Sequence, residues 1–237
     1  EFSAATLEHL KKKYITVNWF GDDTWRFESF ARHYAPHFSV AVTTYKYARD
    51  KYAAAGLNNV LVSQWAAYGG LDRLDLKMVS YQYDVSFVGA YSGLRNWVVK
   101  QLEKQGIPVT CFGAGWGNGV VSFEQMARIF AASKINLNIS NSVSFDVRCL
   151  ASSVLAVREF LGATLKAGRK TAEQIKARNF EIPAYGGFQL TNFVPGIEDY
   201  FVVGDEIAAY SSIEDCRQQI HYYLRHQPER ERVLLKG

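Results

Sequence analysis

Asp84-Val85-Ser86-Phe87-Val88-Gly89-Ala90-Tyr91-Ser92-Gly93 is the stretch whose reading decides the fold. A short apolar run closes on glycine and small residues, the signature of a buried strand turning into a helix. Leu94 to Gln105 follows with apolar residues at helical spacing, and Gly106 ends it as a C′ residue. Val109-Thr110-Cys111-Phe112-Gly113 is then a second strand. Strand, helix and strand in such close succession, with no hairpin turn between the strands, predict a parallel βαβ unit.

The same alternation continues downstream. Ser122 caps a helix from Phe123 to Ala132, with Gln125 as its capping-box partner. Lys134 to Ile139 is a strand, Val147 to Ala167 a helical stretch, and Thr171 caps a helix to Ala184. Phe188 to Thr191 and Glu206 to Tyr210 are strands, and Ile213 to Leu235 is helical with a kink or new start at Pro228. Upstream, Tyr14 to Phe20 reads as a buried strand, Trp25 to Tyr34 as a helix and Ser39 to Thr44 as a strand. A helix from Tyr45 to Ala55, ended by Gly56, and a strand from Asn59 to Ser63 complete that half. Ala66 to Lys77, with Gly69-Gly70 and no periodicity, reads as a linker. The expectation is an α/β protein of two Rossmann-like domains, 1–76 (with the linker) and 77–237. Chemistry is then sought just after the strands, where open parallel sheets bind ligands.

Composition narrows the classes. Hydrophobic residues make up 48% and charged residues 21% of the 237 residues, ordinary for a globular chain, while aromatic residues reach 14%. A net charge of +4 without a basic stripe beyond Lys11-Lys12-Lys13 argues against nucleic acid as a partner. Three scattered cysteines form no CxxC pair or disulfide framework, which fits a reducing, cytoplasmic setting. No apolar run approaches the ~20 residues of a membrane span. The chain opens on Glu1-Phe2 rather than Met, which reads as an excised or processed piece.

Three stretches carry candidate chemistry, each beside a plainer reading. Gly89-Ala90-Tyr91-Ser92-Gly93 opens a helix, so a phosphate can approach its N-terminus with Arg95 in reach; otherwise it is a tight turn with a solvated arginine. Gly113-Ala114-Gly115-Trp116-Gly117-Asn118-Gly119 either offers Trp116 for stacking on a base or sugar, or uses it to plug the core. In Arg178-Asn179-Phe180-Glu181, the carboxylate suits a ribose diol and the guanidinium a diphosphate; the plain alternative is a surface i, i+3 ion pair. Asp22-Asp23 lacks the D-x-D spacing of a metal site, and the pairs His33/His37 and His221/His226 have no carboxylate or cysteine company, so no metal is expected.

An ordered set of motifs resembles one family. D-V-S-F-V-G (84–89), Arg95, F-G-A-G-W (112–116), S-K-I-N-L-N-I-S (133–140), R-N-F-E-I-P-A-Y-G-G-F-Q-L-T (178–191), Y-F-V-V-G-D-E-I-A-A-Y (200–210) and I-H-Y-Y-L-R-H (220–226) resemble the C-terminal domain of group-1-type glycosyltransferases. The branch is the one that includes spore-maturation and spore-coat enzymes. Residues 14–65, with W-F-G-D-D at 19–23, resemble the end of that family's N-terminal domain. The resemblance implies a GT-B arrangement with an incomplete first domain.

It also implies a nucleotide-sugar donor, a glycan, protein or small-molecule acceptor, and no cofactor. In the family's E-x(7)-E motif, Glu181 matches the ribose-binding glutamate, and Glu173, with seven residues between, has the spacing of the one nearer the sugar. Arg178 and Lys134 match the basic pair that stands in for a metal at the diphosphate. Gly89, Arg95, Gly113, Trp116, Asn138, Gly186 and Gly187 fall on the donor side. Two other functions fit the same residues: a sugar-nucleotide epimerase or hydrolase, and a non-catalytic domain that binds a nucleotide or partner.

Overall fold

The computed structural model describes residues 2–69, 80–140, 146–166 and 173–237. Gly70 to Lys77 of the expected linker, the expected boundary at 76/77, Ala167 and the expected cap Thr171 lie outside the described residues. By its internal contacts the chain divides into two compact units: residues 1–65 with 161–175, and residues 66–160 with 176–237.

The first unit holds a three-stranded parallel sheet, β1 (Val17–Phe20), β2 (Val40–Thr43) and β3 (Val60–Val62), in that order. Phe20 and Ala41 meet Phe27, Ala31, Ala35, Ala48 and Tyr52 on one face. Strand periodicity puts Val17 and Trp19 on the other face, and both are exposed, as are Tyr14 and Ile15 ahead of the strand. The expectation of a wholly buried strand over 14–20 is therefore corrected: one face alone is packed by this unit. The helix expected over 25–34 is three short pieces, Asp23–Arg26, a π-turn Phe27–Ala31 and Arg32–Tyr34.

Asp23 is the buried acid of this unit, 1% exposed, and Tyr52 Oη donates to its Oδ2 at 2.9 Å. At the carboxyl edge of the same sheet, the Gln174 amide accepts from Thr24 Oγ1 (2.9 Å) and donates to Thr44 Oγ1 (2.9 Å) and to the Gly21 carbonyl. Segment 161–175 is thereby tied into the first unit, although it follows six strands in sequence.

The second unit is a five-stranded parallel sheet: β4 (Tyr83–Val88), β5 (Thr110–Phe112), β6 (Ser133–Asn138), β7 (Gln189–Asn192) and β8 (Ala208–Tyr210), in spatial order β5-β4-β6-β7-β8. Val85, Phe87, Ile135, Leu137 and Leu190 pack on one side with Trp97, Leu102, Cys216 and Ile220 from helices Gly93–Glu103 and Ile213–Arg225. Val88 and Phe112 pack on the other with Met126, Phe130 and Ile182 from helices Phe123–Ala131 and Arg178–Ala184. Both faces are covered, as parallel sheets require. The Ser122/Gln125 capping box forms as expected, and Pro228 sits in the first turn of a new helix, Gln227–Lys236.

Two expected helices differ. The stretch from Val147 is broken into Val147–Leu150, Val154–Leu161 and a π-turn Gly162–Lys166. The helix expected to end at Ala184 begins at Arg178, because Asn179 Oδ1 accepts from the Lys176 backbone N–H (3.0 Å) just ahead of it. Cys111, Cys149 and Cys216 are free and buried, and burial pushes the Cys111 thiol up to about 12.

Asp23 sets a pH dependence. Burial, above all, raises its pKa against the hydrogen bonds of Thr43 and Tyr52. A raised folded pKa contributes stability that is fully present below the unfolded value, about 3.9, and is lost as pH rises through the folded value. Asp23→Asn keeps an acceptor for Tyr52, so its melting temperature should gain on that of the wild type as pH rises above the unfolded value of about 3.9. A difference constant across that range in thermal melts would refute this.

Candidate functional site

The order β5-β4-β6-β7-β8 has its switch point between β4 and β6. From β4 the chain crosses to one side, into β5, and then back past β4 to the other side, into β6. Loops leaving those two carboxyl ends part in opposite directions and open a crevice, the usual ligand position in doubly wound sheets.

Two arginines converge there. Arg95, on the first turn of the helix after β4, donates from Nη1 to the Ala90 carbonyl (2.9 Å). Its Nε and Nη2 donate to the Ile139 carbonyl (3.3 and 3.1 Å). Arg178 donates from Nε to the Val88 carbonyl at 3.2 Å, and its Nη1 pairs with Glu181 Oε2. A guanidinium has five N–H groups; these contacts use three on Arg95 and two on Arg178. Among the described residues, no carboxylate lies within salt-bridge distance of Arg95. Burial first, and the positive charge of Arg178 second, lower the Arg95 pKa. The remedy for two crowded guanidiniums that do not deprotonate is an anion.

Around them stand polar groups without partners. Asn138 Nδ2 and Ser140 Oγ are buried and unpaired among the described residues, and they flank Ile139, whose carbonyl holds Arg95. Asn138 itself is fixed at the end of β6, its carbonyl accepting from Tyr210 Oη at 3.1 Å. Glu181 is 6% exposed, so it is not the surface pair of the plainer reading. Its Oε2 is engaged by Arg178, while Oε1 has no hydrogen bond among the described residues. Arg95, Asn138, Arg178 and Glu181 are thus brought together at one edge of one sheet, with Gly89 in the adjoining turn.

The other expected site residues go elsewhere. Lys134 is at the amino end of β6, four residues and about 13 Å of strand from Asn138. It pairs with Asp84 at 2.6 Å and cannot neutralise a ligand at the opposite edge. Glu173 belongs to the first unit, in a non-helical stretch beside the anchored Gln174, whereas Glu181 is helical in the second, so the E-x(7)-E spacing does not set the two on one helix.

The glycine loops also have a different reason. Gly89 N–H donates to Phe112 O (2.9 Å) and Gly113 N–H to Gly119 O (2.6 Å), so neither is left for a phosphate. Gly113 has φ +125°, and a Cβ there would meet Gly89 O at 2.3 Å. The two loops lie backbone on backbone. Trp116 seals that contact: its indole N–H donates to Gly89 O (2.9 Å) and its ring meets Tyr91 and Phe87 edge-on. It is a plug rather than a stacking platform. Gly186 (φ +71°) and Gly187 end the helix, their N–H groups donating to Pro183 O and Ile182 O.

Sequence reasoning missed two groups. Ser140 is one residue beyond the strand examined. Glu159, whose Oε2 accepts from the Gly93 N–H at 2.8 Å, lies in a helix with no local sign of a role. The Gly93 N–H, expected to be open to a phosphate, has Glu159 brought to it by the fold instead.

These placements have measurable consequences. Lys134→Ala should leave anion binding unchanged and cost under about 1 kcal/mol in urea unfolding, since its ion pair is exposed. Gly113→Ala should destabilise by roughly 2 kcal/mol or more, from the strained φ and the steric clash together. Anion binding lost in Lys134→Ala would place the site at the amino edge, and a cost under about 1 kcal/mol for Gly113→Ala would show the glycine loop slack.

The chain was compared with known proteins. Residues 95–237 match a family model described as glycosyl transferase-like. Among solved structures, TarM is similar with a TM-score of 0.56 at 10% identity, over 88% of this chain and 41% of that one. An α1,3-fucosyltransferase matches with a TM-score of 0.42 at 15% identity, over 69% of this chain and 39% of that one. The chain therefore spans about two fifths of the length of these structures. No curated protein matches it in sequence. No helix among the described residues is long and apolar enough to cross a membrane. The TarM likeness shows the fold, mixed α/β with Rossmann-like parallel sheets as in GT-B enzymes. With more than half of its length matched by that one family model, the chain belongs to the glycosyl transferase-like family.

Proposed function

We propose that the second unit binds the diphosphate of a nucleotide-sugar donor at the β4/β6 switch point, and that the protein transfers the sugar to an acceptor hydroxyl. The observation that carries this is the pair of guanidiniums, Arg95 and Arg178, held on the carbonyls of Val88, Ala90 and Ile139. Held in advance on backbone groups, they need no reorganisation when negative charge grows on the leaving diphosphate, which is where such charge stabilises a transition state most. They also supply the charge a divalent ion would otherwise bring, so the proposed transfer runs without metal. Glu181 Oε1 accepts hydrogen bonds from the ribose diol, and Asn138 Nδ2 donates to a phosphate or sugar oxygen. The ordered motifs support placement in the branch with spore-maturation and spore-coat enzymes.

Calorimetric titration tests the reading. One nucleoside diphosphate from a panel of UDP, GDP, ADP, CDP and TDP should bind saturably, equally with Mg²⁺ and with EDTA. Arg178→Ala should abolish binding of both that nucleotide and inorganic pyrophosphate. Glu181→Ala should weaken the nucleotide about tenfold or more, the worth of charged hydrogen bonds, and leave pyrophosphate, which has no ribose, unaffected. Failure of every nucleotide to bind folded protein would overturn the donor-site assignment.

A further inference from the structure

The N-terminus of the helix that carries Arg95 is already occupied by an anion of the protein itself. Gly93 is the first residue of helix Gly93–Glu103, and its N–H points to Glu159 Oε2 at 2.8 Å. Two residues on in the same turn, Arg95 N–H donates to the cap Ser92 Oγ (3.3 Å). A carboxylate at a helix N-terminus is favourably placed by the helix dipole, and the same position is a ready anion site for a ligand. Glu159 is also close enough to Arg95 to favour its charged form.

The approach is built into the backbone. Gly93 carries no Cβ, and one placed there would meet the Ala156 backbone and side chain at 2.7 to 2.9 Å. Ala156 and Glu159, three residues apart, share one face of helix Val154–Leu161. Outward from that face, Val154, Leu155 and Val157 are exposed, so burial of the helix rests on a narrow strip centred on Ala156. Arg95, on the helix that Gly93 begins, is also held by the Ile139 carbonyl, and the residues before and after Ile139 carry the buried Asn138 Nδ2 and Ser140 Oγ, which have no partner among the described residues.

We propose that Glu159 is an internal stand-in for the ligand's phosphate: it holds the Gly93 N–H and competes with the incoming diphosphate, so that binding requires helix Val154–Leu161 to withdraw. This rests on the assignment of Arg95 and Arg178 to a diphosphate. The physical logic is that two negative groups cannot share one N–H and one guanidinium neighbourhood, so the ligand's affinity is reduced by whatever Glu159 gains there.

Inorganic pyrophosphate is the probe, because it carries the diphosphate charge without base, ribose or sugar. Titrated into the full chain by calorimetry, it should bind Glu159→Gln about tenfold tighter than wild type, the order expected for removing a carboxylate from a helix N-terminus. Glutamine keeps an oxygen for the Gly93 N–H, so the fold is retained. Gly93→Ala, which leaves Glu159 intact and wedges Ala156 away, should tighten binding in the same direction. Unchanged or weaker binding by both variants, with Arg178→Ala still abolishing it, would make Glu159 a plain helix cap and overturn the proposal alone. No pyrophosphate binding by wild type or either variant would overturn it together with the diphosphate assignment.

Discussion

The carbonyl oxygens at and just beyond the ends of β4 and β6 are the constraint on which this site depends. Just past the end of a strand the backbone carbonyls have no neighbouring strand to donate to them, and buried carbonyls must find donors. Here Val88, Ala90 and Ile139 find them in Arg95 and Arg178. One set of hydrogen bonds thereby completes the backbone pairing of the fold and concentrates positive charge at the switch point. Structure and site share the same atoms, which is why both arginines are positioned without a carboxylate on every N–H.

The glycines serve the same end indirectly. Gly89 and Gly113 allow two βα turns to lie against each other, and Trp116 closes the contact from above. That packing sets where the helix after β4 begins, and so where Arg95 projects. Gly93 and Ala156 repeat the device at a helix crossing. The glycine-rich turns are thus scaffolding around the charge, with their own N–H groups spent on each other.

The first unit shows how far a segment can stray from its sequence neighbours. Gln174 bonds to Thr24, Thr44 and Gly21, binding 161–175 to a sheet whose last strand ended about a hundred residues earlier. Three hydrogen bonds from one buried amide outweigh the helical periodicity that runs through Thr171 to Ala184. Glu173 is carried with Gln174 and leaves the helix that bears Glu181.

Local pattern by itself determined the βαβ alternation, the parallel sheets and the Ser122 capping box, because apolar period, glycine punctuation and helix caps act over a few residues, whereas Arg95, Arg178 and Glu181 were singled out by their resemblance to a family's motifs. It could not separate a glycine loop open to a phosphate from one closed on another loop, since that depends on what lies across the space. Nor could it tell that Lys134 starts its strand at the edge away from the crevice, or that the Arg178–Glu181 pair is buried rather than solvated. Those were decided by tertiary structure, through strand order and the burial it imposes. The meeting of Glu159 with Gly93 belongs to the same class: 66 residues separate them, and only the docking of two helices makes one the partner of the other.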